Sequence, residues 1–140
     1  MRIIAMDVGD KRIGMAVSDA LGWTAQGIAT LERQGDRHDF EKLARLLEDH
    51  KPDRIVIGLP KNMNGTPGPQ SQKVKDFGEK LQKLTDAEIV YWDERLTTVA
   101  AHKALISADV RREKRKHKVD QIAAMLILQS YLDFINRKQV

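Results

Sequence analysis

The first nineteen residues, MRIIAMDVGDKRIGMAVSD, constrain the fold more than any other stretch of the chain. Ile3, Ile4, Ala5 and Met6 make a short apolar run that can be buried on both faces, as a central strand must be. The run ends on a lone carboxylate, Asp7, and Val8, Gly9 and Asp10 follow as a turn signal. Ile13 to Val17 is a second apolar run with Gly14 inside it, close enough to the first for an antiparallel hairpin. The pattern sets one acid at the mouth of a sheet beside the basic pair Lys11 and Arg12. A purely structural use of Asp7, starting the turn with its side chain, accounts for the spacing equally well.

The rest of the chain alternates strands with helices. Gly27 to Leu31 reads as a third strand. Asp36 is placed to cap a helix starting near Arg37, whose Phe40, Leu43, Ala44 and Leu47 form an amphipathic stripe that Pro52 brings to a stop. Arg54 to Gly58 reads as a buried parallel strand. Leu59 to Pro69 holds two glycines and three prolines in eleven residues, which makes it a loop. Such a loop at the carboxyl end of a parallel strand is where open α/β sheets bind ligands, and Lys61 and Asn62 could reach a phosphate there. The helix N-terminus beyond Pro69 could donate its free N–H groups to the same phosphate. Without a closing Gly-Lys-Ser/Thr the loop is not a P-loop, and an ordinary long connection is the bland alternative.

Val74, Phe77, Leu81 and Leu84 mark a second helix, Glu88 to Trp92 a fifth strand, and Thr97–Thr98 the cap of a helix through Ala108. Between strand and cap stand Asp93, Glu94 and Arg95. Side chains alternate along a strand, so the two acids should point to opposite faces, one toward a site and one toward Arg95. Both could instead serve the dipole of the following helix. Residues 111–118, RREKRKHK, pack six basic residues and a histidine into eight positions, read as a solvated loop able to hold nucleic-acid backbone. His117 has no second ligand at zinc spacing. The last helix is expected over Val119 to about Asn136, with Ile122, Leu126 and Gln129 on one side and Ala123, Ile127 and Tyr131 beside them. Asp120 falls in its first turn, where the helix dipole alone would explain it.

Composition narrows the classes. At 140 residues with 41% apolar and 31% charged residues, the chain is expected to form one domain, 1–140, with a real core. No apolar run approaches the roughly 20 residues of a membrane span, and a strand starts directly after Met1, so no secretory leader is expected. The absence of cysteine excludes disulfide and thiolate chemistry and favours the cytoplasm. Three acids from distant parts of the chain, Asp7, Asp93 or Glu94, and Asp120, are left converging on one sheet edge. They would repel unless cations neutralise them. Hard divalent ions with oxygen ligands do so, and two of them roughly 3.5–4 Å apart would activate a water and stabilise a leaving oxygen in phosphodiester cleavage. No Ser-His-Asp or Cys-His grouping competes for the role.

Four blocks carry a resemblance to a known family: MDVGDKRIGMAVSD at 6–19, GLPKNMNGTPGP at 58–69, WDERLTT at 92–98 and KVDQIAAMLILQSYL at 118–132. They resemble the YqgF (RuvX-like) family of the ribonuclease H-like superfamily, a group of Holliday-junction resolvases and pre-16S ribosomal RNA nucleases. The resemblance implies an α/β ribonuclease H-like fold with a mixed five-stranded sheet of order 3-2-1-4-5, strand 2 antiparallel, and helices on both faces. It also implies that Asp7, the acid within Asp93–Glu94, and Asp120 are catalytic and hold Mg²⁺ or Mn²⁺. Resolvases of the RuvC kind carry a carboxylate at the end of the fourth strand, where this chain has Gly58. Glu94, the longer side chain, is the first choice to replace it from one strand over, and Asp93 the second.

The expected partner is nucleic acid, a precursor of the small-subunit ribosomal RNA by resemblance, with branched DNA as an alternative and a non-catalytic RNA-binding assembly factor as another. Lys11, Arg12, Lys61, Asn62, Arg95, Arg111, Arg112, Arg115 and Lys118 would contact its backbone. No membrane partner is expected, and the chain would act as a monomer or weak homodimer. Actin- and hexokinase-like ATPases also begin with an acid and a glycine at their phosphate hairpin. A chain this short has room for only one of their two lobes.

Overall fold

The computed structural model describes residues 1–61, 64–97 and 113–137, with the backbone alone over 113–119. In chain order the elements are β1 (Ile3–Val8), β2 (Arg12–Ser18), β3 (Ala25–Glu32), α1 (Asp36–His50), β4 (Arg54–Leu59), α2 (Pro69–Gln82), β5 (Glu88–Asp93), a 3-10 turn (Glu94–Leu96) and α3 (Glu113–Arg137). The sheet order is β3-β2-β1-β4-β5. β2 runs antiparallel to both β1 and β3, while β4 lies parallel to β1 and to β5. This is the mixed sheet expected of a ribonuclease H-like fold. Central β1 is buried from Ile3 through Asp7, as its apolar run requires.

Alternation along the strands sorts the core into two layers. Ile4, Met6, Ile13, Met15, Ile55 and Ile57 point to the face covered by Leu43 and Leu47 of α1 and by Val74, Phe77 and Leu81 of α2. Each such side chain, taken out of water, contributes about 1.5–3 kcal/mol. Ile3, Ala5, Ala16 and Val56 point to the other face, which α3 covers with Ala123, Ala124, Ile127, Leu128, Tyr131 and Leu132. Among the described residues no helix is long and apolar enough to cross a membrane.

Five expectations are corrected. Asp36 does not cap α1: it is the first helical residue, and Gly35, at φ 119°, holds the cap position. Asp39 serves that end of the helix instead. Fully buried, it accepts the Gln34 N–H at 2.9 Å and the Arg33 Nε at 3.3 Å. Burial opposes its charge, yet these donors together with His38 hold its carboxyl below the usual range. Leu84 lies beyond the end of α2 and is exposed, because the helix stops at Gln82. α3 begins at Glu113, so positions 113–118 of the basic run are helix backbone and not loop. Asp120 therefore sits two turns inside α3, beyond reach of the N-terminal dipole that would have explained it. The sheet-facing stripe of α3 is set by Ala123, Ala124, Ile127 and Leu128, with Ile122 and Leu126 half-buried at its margins. The helix expected through Ala108 lies outside the described residues.

Candidate nucleic-acid cleavage site

Asp7 continues the Ile3, Ala5 series along β1, which turns it toward the α3 face, and it is 5% exposed. Its partner across the antiparallel ladder is Gly14. Glycine there has a steric reason. A Cβ on Gly14 would lie 2.0 Å from the backbone carbonyl oxygen of Asp120, so only glycine lets α3 come down onto β2 at this point. Met6 is level with Ile57 across the parallel β1–β4 pair, and one residue further along both strands Gly58 comes level with Asp7. A Cβ on Gly58 would meet Ile127 Cδ1 at 2.6 Å and Glu94 Oε1 at 2.9 Å. The carboxylate of Glu94 thus stands in the space that a side chain at 58 would occupy. Three acids, drawn from a strand, a 3-10 turn and a helix, border one patch of sheet floored by two glycines.

The neighbouring pair splits as alternation requires. Asp93 follows Tyr91, which packs in the α1–α2 layer, whereas Trp92 packs under α3. Asp93 is bound by Arg95 through Nε at 3.1 Å and Nη2 at 2.7 Å, and it accepts the Arg95 backbone N–H at 2.9 Å. Lys61 Nζ lies 3.8 Å away. The Arg95 hydrogen bonds, working against partial desolvation, hold the Asp93 carboxyl below the usual range, and Asp93 in turn raises the Arg95 guanidinium. Asp93 is an anchor for the turn that carries Glu94.

The cations expected to hold phosphate are distributed unevenly. Lys11 is exposed at the hairpin turn. Arg12 is half-buried, and its Nε donates to Asp120 Oδ2 at 2.8 Å. Lys61 and Arg95 face Asp93. Asn62, Arg111 and Arg112 lie outside the described residues, as do the side chains of Arg115 and Lys118. The loop after β4 is fastened to α2 by a hydrogen bond from Ser71 Oγ to the Pro60 carbonyl, and Gly65, at φ 87°, leaves room for the Arg95 guanidinium above it.

Carboxylates are acceptor-only oxygen donors, the kind that hard divalent ions take; in chemistry the set fits such an ion. Among the described residues, however, no three Asp, Glu, His or Cys side chains are gathered closely enough to hold one jointly. The electrostatic reason is visible at Asp120. Like charges on one face need a counter-charge, and Arg12 supplies it there. Sequence reasoning placed Arg12 on phosphate and missed both this pairing and the roles of Gly14 and Gly58. Glycines inside otherwise apolar strand runs were the available signal, since such positions often mark a close backbone approach.

Comparison with known proteins starts from the family described as "RuvX: Holliday junction resolvase", which matches residues 1–134. The chain belongs to the RuvX family. A relative from Clostridium tetani, provisionally named a pre-16S rRNA nuclease, is 56% identical over 138 residues, covering 99% of this chain and 100% of its own length. One from Heliobacterium modesticaldum, with the same name, is 54% identical over 133 residues, covering 95% and 89%. Among solved structures, Thermus thermophilus RuvC in complex with a Holliday junction substrate aligns with a TM-score of 0.66 at 10% identity, covering 100% of this chain and 97% of that one. At that identity the likeness concerns the fold. Membership of RuvX and the names of these relatives support a hydrolytic nuclease.

Proposed function

We propose that this RuvX-family chain is a divalent-metal-dependent endonuclease acting on structured RNA, with a precursor of the small-subunit ribosomal RNA as its substrate. The observation that carries the reading is the placement of Asp7, Glu94 and Asp120 around Gly14 and Gly58 on one face of the sheet. Asp7, Glu94 and Asp120 are the residues that would hold Mg²⁺ or Mn²⁺. Such an ion, when bound, supplies Lewis-acid stabilisation of charge at a scissile phosphate. Asp7 comes from the buried central strand of the sheet, which gives the site a fixed reference point. Glu94 reaches over Gly58 from a turn that Asp93 and Arg95 brace. Lys11, Arg12, Lys61, Asn62, Arg95, Arg111, Arg112, Arg115 and Lys118 are proposed to hold backbone phosphates, giving affinity that falls steeply with salt and little sequence readout. The protein would work in the cytoplasm as one domain, a monomer or weak homodimer.

The test is incubation of precursor ribosomal RNA with the protein and Mn²⁺, Mg²⁺ or a chelator, beside Asp7→Asn. Cleavage is expected with either ion, none with chelator, and a loss on the order of a thousandfold in Asp7→Asn with RNA binding largely kept. Wild-type activity in a clean Asp7→Asn preparation would remove Asp7 from the mechanism. The family description favours a second reading, resolution of four-way DNA junctions. The same assay run on a synthetic junction separates the two.

A further inference from the structure

Asp93 and Asp120 are held in contrasting ways. Arg95 grips Asp93 through two side-chain nitrogens and a backbone N–H, with Lys61 behind. Asp120 meets Arg12 through one nitrogen, Nε, a single one of the five N–H donors a guanidinium carries. The Asp120 backbone is pressed against Gly14, so the residue can change partners only by turning its side chain. Arg12 opens β2 on the same face as Gly14, next to the exposed Lys11 and the Gly9–Asp10 turn. Its side chain keeps 26% of its surface open to solvent, against 19% for that of Asp120. Both members of the pair are therefore partly open to solvent, with the cation the more exposed of the two.

We propose that Arg12 is a substrate-sensitive latch on Asp120: nucleic-acid phosphate draws Arg12 away, and the released Asp120 becomes available to a divalent cation. The proposal rests on the reading of Asp7, Glu94 and Asp120 as the metal-holding set. A guanidinium can take a phosphate bidentately, which a one-point contact with a carboxylate does not match. A divalent cation and the Arg12 guanidinium carry like charge and draw on the same carboxylate, so each weakens the other's hold on it. Nucleic acid that captures Arg12 relieves the competition, and metal that captures Asp120 leaves Arg12 for phosphate. Linkage makes the gain equal in both directions. Arg12 is then a positioning residue that confines tight metal binding to the substrate-loaded protein.

The experiment is calorimetric titration of the full chain with Mn²⁺, alone and with a cleavage-resistant 2′-O-methyl RNA hairpin. For the wild type the hairpin is expected to tighten Mn²⁺ binding about tenfold or more, and Mn²⁺ to tighten hairpin binding by the same factor. Arg12→Gln is expected to bind Mn²⁺ alone more tightly than the wild type and to lose most of the coupling. Arg12→Met, which keeps the aliphatic stem, carries the same expectation should Arg12→Gln fail to fold by circular dichroism. An unchanged Mn²⁺ affinity in the folded variant, or coupling as strong as in the wild type, overturns the latch. Equal wild-type affinity with and without hairpin overturns it without any variant. Failure of the underlying metal reading looks different: Mn²⁺ binding would be indifferent to Asp7→Asn and Asp120→Asn.

Discussion

The two faces of the sheet are built to opposite rules. Under α1 and α2 the contacts are made mainly by large side chains, among them Ile57, Leu43, Phe77 and Leu81. Under α3, Ile127, Leu128, Tyr131 and Leu132 are interspersed with Ala5, Ala16, Ala123 and Ala124, and Gly14 and Gly58 remove the side chain altogether where the helix or Glu94 presses in. Gly27 does the same beneath Gln121 and Met125. Large residues gain apolar burial; small ones bring backbones together and fix where charged side chains end up. Both layers bury apolar surface, and the α3 layer, with its glycines, also sets the geometry of the acids.

Substitutions can break this division. Leu81→Ala, fully buried on α2, should cost about 2–5 kcal/mol in urea unfolding while leaving the cleavage rate of the folded fraction nearly unchanged. A rate loss out of proportion to the unfolded fraction would show that the layers are not separable. Gly14→Ala should lose both stability, by about 1–3 kcal/mol, and most activity, because the new methyl meets helix backbone that cannot move alone. Gly58→Ala should be milder in unfolding, under about 1.5 kcal/mol, since it meets the flexible ends of Ile127 and Glu94. Its cleavage rate should still fall, as the Glu94 carboxylate is displaced. Equal stability losses for the two glycine variants would contradict the steric distinction between them.

The smallest expected effect is on pH. The folded-state carboxyls of Asp39 and Asp93 both lie below their ordinary values, so their contribution to stability is complete above the unfolded-state value of about 3.9. It is lost as pH falls through the depressed folded values. Acid unfolding followed by circular dichroism should therefore sharpen below about pH 4. Asp39→Asn should remove much of that dependence.

The sheet was legible because its strands are short apolar runs between strong turn signals, and β1 with its Ile3–Met6 core announced itself as central. Helix starts were harder. Gly35 caps α1 through backbone conformation alone, and the helix end is served by Asp39, whose reach back to Gln34 leaves no local pattern. The basic residues before Val119 read as solvated loop, while the backbone is already helical from Glu113 onward. At the site, Asp7 and Glu94 are legible as acids at or just past strand ends, whereas Asp120, expected to open its helix, lies two turns inside it. The Arg12–Asp120 pair spans 108 positions of sequence, and no local periodicity reports a contact of that kind.

That long span has a temporal side. The amino-terminal hairpin, with Asp7 and Arg12, leaves the ribosome long before Asp120, and the seat on Gly14 stays open until the final helix arrives to fill it. One docking step closes the apolar underside of the sheet and delivers the third acid. A nascent or truncated chain that stops short of residue 120 would own most of the scaffold without a complete set of acids. In a protein proposed to cut RNA, ripening of the fold and arming of the enzyme would then be a single event.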